Sequence, residues 1–107
     1  MKIIKSVASL ALVIALVAPT ASAETRHKTC EDFASISYLA MKLHQSGVSL
    51  SETLSLINDD DSMNADQVLA IEDLVLLAYD SPRFLTETAQ DRHAATFRDK
   101  MHVICLS

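Results

Sequence analysis

The sequence predicts an all-α fold: a compact bundle of about four helices, closed by one disulfide and preceded by a signal peptide. Three observations carry this reading. The 107 residues include one glycine and two prolines, whereas a sheet protein needs turn residues about every 8–12 positions. Between these breakers, apolar side chains recur at the spacing of one helical face. Ser, Thr or Asn stands ahead of several of these stretches, where a helix start needs a side-chain acceptor for its unpaired amides.

The chain opens with "MKIIKSVASLALVIALVAPTASA". Lys2 and Lys5 precede an apolar run over 7–18, followed by Pro19 and the small residues Ala21 and Ala23. This is the layout of a secretory signal, so cleavage is expected between Ala23 and Glu24. The run is shorter than the roughly 20 residues of a bilayer span, and no cysteine near the cleavage point offers a lipid-anchor site. The expected product is a single small helical domain over 24–107, delivered by the Sec route to the periplasm of a Gram-negative cell or to the medium. At 84 residues it lies in the size range where a core is helped by a covalent staple.

A first helix is expected over 30–46. Thr29 is placed to cap it and Asp32 to meet its positive end. Phe33, Ile36, Ala40 and Leu43 form its apolar stripe, widened by Ala34, Ser37 and Met41. Gly47 follows where a left-handed residue is needed, with Val48 set to fold back on Leu43. A short second helix over 50–58 starts with a capping box, Ser49 and Glu52; Leu50, Leu54 and Ile57 share a face, and "NDDD" ends it. A third helix over 65–79 is capped by Asn64 with Gln67. Its "VLAIEDLVLLAY" is apolar on most sides, which predicts the central helix of the bundle. After "SPRFL", a fourth helix over 87–104 carries Ala89, His93, Phe97, Met101 and Ile104 inward and Gln90, Asp91, Arg98 and Asp99 outward.

Without Lys2 and Lys5 the chain holds 7 basic and 14 acidic residues. Such a chain, lacking a basic cluster, is a poor nucleic-acid binder and is repelled by anionic lipid. His27, His44, His93 and His102 all follow the signal segment and are the candidate pH-responsive groups. No Gly-x-Ser-x-Gly, His-Glu-x-x-His or phosphate loop occurs, and Glu72 and Asp73 point in different directions on a helix. No enzyme activity and no cofactor are expected. "DDDSMNAD" places Asp60, Ser62 and Asn64 at calcium-loop spacing, but Ala65 stands at the turn glycine and Ile71 at the twelfth position, so an acidic turn is the reading.

Cys30 opens the first helix and Cys105, 75 positions later, closes the last. In an oxidising compartment such a pair forms a disulfide. The repeated spacing His27-x-x-Cys30 and His102-x-x-Cys105 leaves a second arrangement open, a two-Cys, two-His zinc set; intermolecular pairing and free thiols are the others. No metal is expected. His27 is the fourth residue after the cleavage point, one too late for an N-terminal copper site.

Two resemblances follow from these segments. An early cysteine, "AMKLHQSGVSL", "LVLLAYDSPRF", "TFRDK" and a final cysteine together resemble the layout of small exported helical proteins encoded by phages and prophages of Gram-negative bacteria. That resemblance implies a non-enzymatic binding or modulator protein meeting a periplasmic or envelope partner. "TCEDF" at 29–33 and "AATFRDKM" at 94–101 are similar to segments of the periplasmic acid-stress chaperone family of the HdeA/HdeB type. This implies, as the alternative, a helical chaperone that holds clients at low pH. In that family the second cysteine precedes the late segment; here Cys105 follows it.

Overall fold

The computed structural model describes the backbone of residues 2–107 and the side chains of residues 23–107. Four helices follow in order: α1 Lys2–Gln45, α2 Leu50–Asn58, α3 Ala65–Tyr79 and α4 Glu87–Leu106. Among the described residues there is no strand. The signal-peptide reading falls almost wholly on residues whose side chains lie outside the described set.

The first helix does not start at Cys30. Thr29 lies inside α1 and caps nothing, because the stretch 21–28 just before it is rich in the strong helix formers Ala, Glu, Arg and Lys and holds no Gly or Pro. Its far end is as expected. Gly47 adopts φ 89°, and the amides of Gly47 and Val48 donate to the carbonyls of His44 and Leu43 at 3.1 and 3.0 Å, the two bonds of a Schellman stop. The other starts are local as well. The Ser49 hydroxyl accepts from the Glu52 amide at 3.1 Å, but the Glu52 carboxylate bonds the Ser49 hydroxyl instead of the backbone, so only half of that box forms. Asn64 and Gln67 make both halves of theirs at 2.9 Å. Thr86 caps α4 by accepting from Ala89.

α1 is the element on which the other three pack, most extensively α4. Cys30, Ala34, Ser37, Met41 and Gln45 are buried along one stripe of α1. Both ends of that stripe reach α4 or the connector before it, through Cys105 and Phe84; the two helices therefore run antiparallel. Small side chains at Ala34 and Ser37 on α1, and at Ala94 on α4, allow close approach. Ser37 satisfies its hydroxyl on the Phe33 carbonyl at 2.8 Å. Phe33, Ile36 and Leu43, expected at the heart of the stripe, are only half-buried. On α4 the buried positions are Ala94, Phe97 and Met101. Ile104 is exposed, a correction to the expected stripe: the bond at Cys105 fixes that residue toward α1 and turns its neighbour outward.

α3 is not the central helix. Ile71, Leu74, Val75 and Ala78 are buried against α1 and α2, but Leu69, Leu76 and Leu77 are exposed at 60, 50 and 52%. With α4 seated on α1, one side of α3 has no covering helix, although its residues there are apolar.

Candidate functional site

The two ends of the α1–α4 pair are fastened by different chemistry. At one end Cys30 and Cys105 form the disulfide, with Cα atoms 5.6 Å apart. The thiolates of the alternative zinc set are consumed by this bond. Among the described residues no cluster of His, Cys, Asp and Glu could hold a metal ion.

At the other end a buried amide does the fastening. Gln45 is 1% exposed. Its Nε2 donates to the Pro82 carbonyl at 2.9 Å and its Oε1 accepts from the Phe84 amide at 2.8 Å. The connector between α3 and α4 is thus paired with a helix residue as it would be with a strand. Sequence reading missed Gln45, because a glutamine in the last turn of a helix ordinarily points into water. His44 works beside it. Its Nε2 lies 2.6 Å from the Ser81 carbonyl, which makes that nitrogen the protonated one, and its ring packs on Tyr79 at 4.5 Å. The Tyr79 hydroxyl donates to the Val48 carbonyl at 2.8 Å and lies 2.6 Å from the hydroxyl of the buried Thr53. Since the tyrosine proton goes to Val48, Thr53 is the donor in that contact. One end of the bundle therefore joins α1, α2, α3 and the connector through four polar side chains.

The four histidines are not brought together. His27 is exposed on α1, His102 half-buried near the end of α4, and His44 sits in the network just described. His93 packs against Phe84 with ring centroids 4.9 Å apart, and its Nε2 is buried without a hydrogen-bond partner. Ala23 and Glu24, the expected cleavage pair, lie within α1. The acidic turn spends its polar groups on itself: the Ser62 amide bonds Asp60 at 2.9 Å and Asn64 caps α3. Hydrogen bonds from the Ser62 hydroxyl and amide hold the Asp60 carboxyl below the usual carboxylate range. Lys42 bridges to Asp91 on α4, and that hydrogen bond raises its ammonium above the ordinary lysine value.

Two further features concern the surface. Residues 45–82 contain eight carboxylates and no Lys, Arg or His. All lysines and arginines after residue 23 lie on α1, α4 and the start of the connector. The same acidic half flanks an open apolar groove between α1 and α2, lined by Ile36, Leu39, Leu43, Leu56 and Ile57, with Val75 of α3 beside them. Among the described residues no helix is long and apolar enough to cross a membrane. No protein-family profile matches the chain, and neither a curated protein nor a solved structure matches it.

Proposed function

We propose that the protein is an exported, non-enzymatic binding or modulator protein of the bacterial envelope, of phage or prophage origin, acting after removal of residues 1–23. The observation that carries this reading is the exposure of large apolar side chains on every helix of a covalently closed scaffold. Leu39, Leu56, Leu69, Leu76 and Leu77 are each at least half exposed, and a fold that leaves such side chains in water offers them to a partner. The segment ahead of Glu24 and the disulfide both suit export. Two measurements test it together: affinity capture from periplasmic extract, and phage growth and lysis timing with and without the protein. Recovery of a specific envelope protein and a changed infection outcome are expected. No specific partner and no effect on infection would remove the reading. Intact mass under non-reducing conditions checks processing, with loss of residues 1–23 and of two protons expected.

The acid-activated chaperone is the second reading, favoured by the same acid-rich half. In strong acid its carboxylates lose their charge while its leucines remain exposed, which turns a solvated face into an apolar one. Light scattering of an unfolding client at about pH 3 tests this; unabated aggregation eliminates it.

A further inference from the structure

We infer that the groove between α1 and α2 is a docking surface for a cationic amphipathic helix; the inference rests on the binding-protein reading and names the partner's chemistry. The groove has apolar lips as well as an apolar floor. Leu39 on α1 and Leu56 on α2 are 57 and 62% exposed, which is costly for two leucines facing each other across a depression unless something covers them. A second depression continues along α1 and shares Ile36 with the first, extending the apolar track to Phe33, Met63 and Ile71. The track spans α1 from Phe33 to Leu43, about 15 Å at the helical rise per residue, which is two to three turns of a partner helix.

The charge around the track is of one sign. Glu52 stands four residues before Leu56 on α2, and Asp59, the C-cap in helical conformation, stands three after it; these positions share its face, and both are exposed. Asp32 lines the far end of the track. Lys42 is held by Asp91 on the α4 side, and Lys28 lies one turn beyond Asp32, past the apolar track. No other cation is available from residues 45–82. An occupant must therefore bring apolar anchors at helical spacing and lysines or arginines beside them, the helix-in-groove mode of recognition. In a second copy of this chain Lys42 and Arg98 are tied to Asp91 and Asp99 and Arg83 reaches the Gln45 carbonyl; Arg26, Lys28, Arg92 and Lys100 remain, and self-association is an outcome that the test below separates.

The test uses the oxidised protein and a synthetic peptide of roughly 15 residues with leucines at helical spacing and lysines elsewhere, set against a peptide with glutamate for every lysine. Binding is followed by fluorescence anisotropy. The lysine peptide is expected to bind in a salt-sensitive manner and the glutamate peptide not at all. Leu39→Ser with Leu56→Ser, and separately Glu52→Gln with Asp59→Asn, should each weaken binding at least about tenfold. Leu85→Ser, at a fully exposed connector residue, should leave it unchanged. Thermal unfolding shows that the variants fold; their side chains are exposed, so they should. Binding unaffected by the groove variants, or weakened equally by Leu85→Ser, would overturn the inference. So would a wild-type dimer that these serine variants convert to monomer. If affinity capture recovers a specific partner that the serine variants still hold, the inference fails and the binding reading stands. Absence of any specific partner is a failure of that reading itself.

Discussion

Replacing Gln45 by Leu keeps the side chain's bulk and removes only its amide. The change strands two connector groups, the Pro82 carbonyl and the Phe84 amide, which Gln45 meets at 2.9 and 2.8 Å. Gln45 is 1% exposed, so water cannot replace it without opening the end of the bundle. A buried polar group left unpaired costs about 1–3 kcal/mol; both bonds are partly buried, so the expected loss is about 2–4 kcal/mol. Small domains have only about 5–15 kcal/mol in total. Urea unfolding followed by circular dichroism should show this as a lower midpoint at unchanged slope. Hydrogen exchange should show lost protection at the Phe84 amide. A destabilisation under about 0.5 kcal/mol, with the Phe84 amide still protected, would refute the assignment. Gln45→Glu adds a sign check. The carboxylate can accept from Phe84 but cannot donate to Pro82, whereas the protonated acid can do both. Burial disfavours the charged form, so the folded state holds the proton more tightly than the unfolded chain. The variant's added stability is then present at low pH and lost as pH rises through its folded titration. Relative to wild type, Gln45→Glu should improve on acidification from neutrality.

Other perturbations reach other parts of the frame. Cys30→Ala with Cys105→Ala opens a loop with a sequence separation of 75, for which the chain-entropy model gives about 4.5 kcal/mol and comparable small domains show about 2–5; thermal melts under oxidising conditions measure it. Gly47→Ala should cost about 1 kcal/mol or more, because φ is 89° and a Cβ would lie 3.1 Å from the Arg83 guanidinium; chemical denaturation checks it. His93→Phe removes a buried, unpartnered Nε2 and keeps a ring against Phe84, so a gain of about 1 kcal/mol is expected in the same assay. Asp60 titrates low because Ser62 bonds its charged form. Its contribution is present above the ordinary aspartate range and lost as pH falls through the depressed value. Ser62→Ala should move the Asp60 titration upward, as read by carboxyl NMR.

What could be read from the sequence was whatever the chain decides locally. Ser49, Asn64 and Gly47 place helix ends through bonds to residues three to five positions away, and so the bounds of α2 and α3 were predictable. The start of α1 was not, because a capping threonine matters only where a helix must begin, and the chain before Thr29 is already helical. The buried stripes were legible in period, and Ala40, Ile57, Phe97 and Met101 fell where expected; on α1 the centre is shifted to the residues expected only at its margin. Ala34, Ser37 and Met41 are the α1 seam because α4 packs there, approaching closely over the small Ala34 and Ser37 and covering Met41, a condition set by a helix far along the chain. Leu76 and Leu77 look like core in any hydropathy reading, and only the seating of α4 on α1 leaves them outside. Gln45 and the groove around Leu39 and Leu56 depend on residues far apart in the chain, and no local pattern announces them.

The disulfide also changes what kind of object the domain is under attack. Between Cys30 and Cys105 the polypeptide is a covalent ring. A single cut in the exposed acidic turn at 59–61, or in the connector at Arg83, would not release a fragment. It would convert the ring into a linear, two-chain molecule still joined at one point, with every helix intact. Only a second cut, or a reductant, separates the pieces. A protein built this way can be nicked by a protease and remain one molecule.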